Sequence, residues 1–62
     1  MPIVKINLVA GRTQEQLRGI VRDVTKVVVK DTGCQDSDVH VILNEMQPDH
    51  YSVGGILKSD EK

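Results

Sequence analysis

Sixty-two residues allow only one domain, spanning 1–62, and a chain this short buries about 60% of the surface that its unfolded form exposes. The single cysteine, Cys34, excludes an intrachain disulfide framework, and Cys34 with His40 and His50 makes no zinc pattern, so association with other copies is the expected supplement to a thin core. A net charge of −1 with both signs interspersed excludes an electrostatic footprint for nucleic acid or an anionic membrane. No run approaches the ~20 apolar residues of a membrane helix and no basic leader precedes an apolar stretch, so a cytoplasmic protein is expected.

In chain order, residues 3 to 9 alternate with the period of a strand: Val4, Ile6 and Leu8 fall on one face and Ile3, Lys5, Asn7 and Val9 on the other. Gly11 interrupts the pattern. Thr13, with Gln16 three residues on, forms a capping-box signature that starts a helix near Gln14. Leu17, Ile20, Val21, Val24, Val27 and Val28 then recur at spacings of three and four, which predicts one apolar stripe. Clustered valines lower helix propensity, so this helix must draw its stability from packing against a sheet.

Asp31-Thr32-Gly33 ends the helix, with Gly33 supplying a left-handed cap, and Cys34 beside it sits at a turn. Asp36 and Asp38 form a polar turn. A second strand covers Val39–Met46, with Val39, Val41 and Leu43 on one face and His40, Ile42 and Asn44 on the other. Strand, helix and strand in that order make a βαβ unit with parallel pairing. Gln47-Pro48-Asp49 is a turn, Tyr51-Ser52-Val53 a short extended piece, and Gly54-Gly55 the turn of a short C-terminal hairpin. Lys58 to Lys62 are expected to fray. The fold class is α/β, or α+β with the hairpin counted, and its two-stranded sheet leaves one face and both edges open.

Met1-Pro2-Ile3 opening a strand, Gly11-Arg12-Thr13 opening a helix, and Glu45-Met46 leading through His50-Tyr51 to Val53-Gly54-Gly55 together resemble the 4-oxalocrotonate tautomerase family. The likeness runs from Pro2 to about Leu57 and includes the spacing between segments. It implies a tautomerase-like βαβ protomer, a four-stranded sheet completed by dimerisation, three such dimers in a homohexamer, no cofactor, no metal, and a role in aromatic catabolism. It also implies a catalytic group at Pro2, a secondary amine once Met1 is removed. An α-amino group has a reference pKa of about 7.7–8.0, and an apolar pocket or nearby cation lowers it toward working pH, where it serves as general base and then acid.

The resemblance assigns Arg12, from a neighbouring subunit, to the substrate carboxylate, a role that suits a guanidinium's paired donors. His40 stands where the family typically has a second Arg that polarises the reacting carbonyl. A histidine, neutral for much of its population at pH 7, supplies less fixed charge there. It is read either as a ligand contact or as a polar residue on the more exposed strand face. Tyr51 matches an aromatic at the pocket mouth or is an ordinary interface aromatic, and Leu8 with Ile3 lines the pocket base or belongs to the core. Glu45 and Asp49 show no sign of a paired-carboxylate site. The implied reaction is keto–enol tautomerisation of small 2-oxo or 2-hydroxy-dienoic acids. The alternatives are a hydratase, dehalogenase or decarboxylase chemistry on the same scaffold, or a non-catalytic oligomeric binding module.

Overall fold

The computed structural model describes residues 1–61, and Lys62 lies outside the described residues. Strand β1 (Ile3–Val9) leads into helix α1 (Gln14–Thr32), which returns the chain to strand β2 (His40–Met46). The strands pair in parallel, in a register that runs from Ile3 opposite His40 to Val9 opposite Met46. The ladder continues at both ends, where the His40 N–H donates to the Pro2 carbonyl (3.0 Å) and the Ala10 N–H to the Met46 carbonyl (2.8 Å).

The helix begins where the capping box requires. The Gln16 N–H donates to the Thr13 hydroxyl (3.1 Å) while the Gln16 side chain accepts from the Thr13 N–H (2.9 Å), so two otherwise orphaned amides are satisfied. At the other end the Gly33 N–H donates to the Val29 carbonyl, and the Thr32 hydroxyl donates to the Val28 carbonyl and accepts from the Cys34 N–H. Cys34 is thus held at the turn as a free, half-buried thiol.

The helix lies over one face of the sheet. Val4 shares a groove with Val24 and Val28, and Val39 and Val41 share another with Val21 and Val29, so strand alternation places Ile6, Leu8 and Leu43 on this covered side too. The expected stripe faces the sheet, with Leu17 buried and Ile20, Val21, Val24 and Val28 half-buried. Val27, 57% exposed, stands at the rim of the groove that Val4 lines, while Val29 joins the stripe at the β2 groove on the opposite flank. β2 begins at His40 rather than Val39, although Val39 still faces the helix.

Beyond β2, Pro48–His50 form a 3-10 turn, and β3 (Ser52–Val53) pairs antiparallel with β4 (Ile56–Leu57). Gly54 and Gly55 between them have φ of 62° and 85°, the two positive values that a tight type I′ hairpin requires. The expected fraying is corrected for the described part of the tail. Lys58–Asp60 make a further 3-10 turn, and Lys58 Nζ donates to Glu61 Oε2 at 2.6 Å, which raises the Lys58 pKa above its ordinary value.

Little of this is buried. Leu17, 8% exposed, is the one buried residue among those described. The chain exposes 4870 Å², against about 4,000 Å² for a compact protein of its mass. Its radius of gyration is 14.7 Å, against about 10.5 Å for a compact domain of this length. With so little core behind it, the helix leans on its cap. Thr13→Ala is expected to cost about 1 kcal/mol, read as a lower urea midpoint at fixed protein concentration, and an unchanged midpoint would count against that dependence.

Candidate active site

The parallel register sorts the expected site residues into two groups. Pro2 and His40 meet at one end of the sheet, joined by the backbone hydrogen bond that extends the ladder. Pro2 is half-buried and His40 exposed, its side chain on the face that the helix leaves open. Ile3, directly across from His40, shares that open face and is 63% exposed. Met1 is 82% exposed, so the bond to Pro2 is accessible for removal of Met1.

Arg12 belongs to the other end. Gly11 turns the chain out of β1 with φ 135°, a conformation that a side chain would strain, and delivers Arg12 to the position just ahead of the helix. The Arg12 guanidinium donates through Nη1 to the Val9 carbonyl at 2.8 Å, and among the described residues it has no carboxylate partner. A cation there opposes the positive end of the helix dipole, so an anion arriving at this point satisfies both the guanidinium and the helix amides. Tyr51, half-buried, follows the 3-10 turn that leaves β2 at that same end, and its carbonyl accepts from the Lys58 N–H (2.8 Å).

One protomer therefore does not bring the residues together. The six steps of strand from Ile3 to Val9 put about 20 Å between the Pro2 end and the Arg12 end. Of the two readings of Leu8, its position favours the core. It lies near the Arg12 end and on the helix-covered face, so it cannot line a pocket at its own chain's Pro2. Sequence reasoning missed Val9, whose carbonyl anchors Arg12 and whose side chain alternates onto the open face. The strand alternation that placed Leu8 with Val4 and Ile6 carried that signal. Among the described residues, no three His, Cys, Asp or Glu side chains gather as a metal site.

Known proteins share this fold. The family model described as tautomerase enzyme matches residues 2–61. A probable tautomerase of Lactiplantibacillus plantarum is 61% identical over 62 residues, across 100% of this chain and 97% of that protein. The crystal structure of YwhB, a homologue of 4-oxalocrotonate tautomerase, matches with a TM-score of 0.92 at 39% identity, covering 98% of this chain and 100% of that one. A heterohexamer 4-oxalocrotonate tautomerase from Chloroflexus aurantiacus J-10-fl matches with a TM-score of 0.92 at 26% identity, covering 100% of both chains. With a family match across nearly its whole length and the same backbone as solved homologues, this chain belongs to the tautomerase family of enzymes.

Proposed function

We propose that the protein catalyses keto–enol tautomerisation of small 2-oxo and 2-hydroxy-dienoic acids, with the amine of Pro2 moving the proton. The observation that carries this reading is the position of Pro2: half-buried at the start of β1, its carbonyl held by the His40 N–H, behind an exposed Met1. Once Met1 is removed, the amine is a fixed neutral base. It takes the proton from the substrate hydroxyl and, as the protonated amine, returns a proton to carbon. Proton transfer of this kind needs no cofactor and no metal. The setting is the cytoplasm, where the lone Cys34 thiol stays reduced.

Arg12 holds the substrate carboxylate from a neighbouring copy. The two half-sites occupy opposite ends of one sheet, and a two-fold pairing of antiparallel copies sets the Pro2 end of each against the Arg12 and Tyr51 end of the other. Leu8, on the helix side of the sheet, then lies beneath the Arg12 half of that site. His40 or Tyr51 donates a hydrogen bond to the oxygen that gains charge, and His40 provides less stabilisation than a fixed cation would. The assembly we favour is a homohexamer of three such dimers, in keeping with a relative that is itself hexameric.

Three outcomes test this. Protein lacking Met1 is expected to ketonise 2-hydroxymuconate, followed by ultraviolet absorbance, with kcat/KM rising with pH as the Pro2 amine loses its proton. A Met1-retaining form should be inactive, and equal rates from the two would remove Pro2 from the mechanism. His40→Arg should raise kcat by about tenfold through added charge at the enolate oxygen, and an unchanged or lower rate would argue against that contact. Finally, Met1-retaining protein and Arg12→Ala protein, each inactive alone, should regain activity when unfolded together and refolded as a mixture. Failure to complement, with assembly intact by light scattering, would place both groups in a site of some other composition.

A further inference from the structure

The face of the sheet that the helix leaves open carries an unusual set of groups for an exposed surface. Strand alternation puts Ile3, Lys5 and Asn7 of β1 on it beside His40, Ile42 and Asn44 of β2, and between Ile3–Val9 and His40–Met46 no carboxylate points this way, because Glu45 alternates to the other side. The two amides satisfy one another, with Asn44 Nδ2 donating to Asn7 Oδ1 at 3.0 Å. Ile3 and Ile42 flank the remaining space, 63% and 48% exposed. Lys5 is the one fixed cation here, and among the described residues it enters no ion pair. Lys26 and Lys30, by contrast, rim the groove on the helix side of the sheet.

Lys5 is opposite Ile42 and diagonal to His40, which sets about 8 Å between the Lys5 and His40 Cα atoms and about 10 Å between those of Lys5 and Pro2. A flexible four-methylene stem covers most of that separation, and the apolar flanks lower the competition from water for its ammonium. From this placement we infer that Lys5 is a specificity-determining residue: it binds the second carboxylate of a dicarboxylate enol whose reacting end sits at Pro2 and His40. The inference rests on the tautomerase reading above for where the substrate lies. It also identifies where fixed positive charge survives at this end of the site although position 40 is a histidine. A charge-assisted hydrogen bond from Lys5 selects for dicarboxylates without touching the reacting atoms.

Two measurements decide it. In turnover by Met1-free protein, Lys5→Gln is expected to lower kcat/KM for 2-hydroxymuconate by about tenfold, mainly through KM, and to leave 2-hydroxy-2,4-pentadienoate, which lacks the second carboxylate, within about twofold. Lys5→Arg should keep the dicarboxylate preference. Equal losses on both substrates, or no loss on either, would overturn the assignment. The second measurement needs no turnover: binding of cis,cis-muconate and of sorbate, which has one carboxylate, followed by NMR shift changes in the wild type and in Lys5→Gln. A muconate preference that disappears in Lys5→Gln supports Lys5 even if the wild type turns over neither enol, in which case the proposed chemistry alone fails. A preference unchanged by Lys5→Gln sinks the inference even if tautomerase activity is high.

Discussion

Seven residues of β1 run beside seven of β2 in the same direction, and this parallel register governs the rest of the molecule. Parallel strands cannot be joined by a tight turn, so a crossover is obligatory, and the 19-residue α1 provides it. The same register sends both strand starts to one end of the sheet and both exits to the other. Pro2 and His40, which open the strands, become neighbours through a ladder hydrogen bond. Arg12 and Tyr51, which follow the exits, are held at the far end. No rotamer change bridges about 20 Å of strand.

That separation and the scarcity of core have the same origin. Two strands make a sheet no wider than the helix above it, so α1 shields the middle of one face and leaves grooves along both flanks. Leu17, 8% exposed, is the one buried residue among those described. The exposed Ile3, Val27, Ile42, Val53 and Ile56 are apolar surface that a free protomer would have to hydrate, distributed over the open sheet face, the helix flank and the hairpin. On the proposed reading, a chain whose candidate site residues are split between two ends and whose apolar groups are split among three surfaces gains on both counts from pairing with copies of itself.

The features legible in the sequence are those set by local rules. Period-two alternation gave the strand faces, and the Thr13 and Gln16 pair marked the helix start to the residue, because a capping box is completed by residues three apart. Two positive φ angles at Gly54 and Gly55 needed only the dipeptide. Errors arose where a residue's environment depends on the width of what it packs against. Val27 belongs to the apolar stripe by periodicity and lines the groove beside Val4, yet the narrow sheet leaves it 57% exposed, while Val29 on the other flank finds the β2 groove. Lys58 to Lys62 were expected to fray as the last residues of the chain, but a Lys58–Glu61 pair and a 3-10 turn give the described part of the tail structure. Leu8 was open between pocket base and core, and its place on the helix-covered face, already implied by alternation, favours the core. The division of the candidate site into two ends follows from the parallel pairing that the strand, helix and strand order implies, and the register adds which residues stand opposite one another.

On the proposed reading, assembly and activity follow one equilibrium. A general base needs its partner charges within hydrogen-bond reach, and the effective concentration that makes such catalysis fast comes from holding them in place beforehand. Here the protomer holds the base, and only another copy brings the carboxylate clamp. Any process that frees a protomer therefore dissolves the site as it exposes the apolar flanks, so the fraction of complete sites tracks the fraction assembled. Surface that would be a liability on a free chain then enforces function. The aliphatic residues that fail to find cover within one protomer bring Arg12 to Pro2, and a 62-residue chain can build a two-ended active site without encoding a second domain.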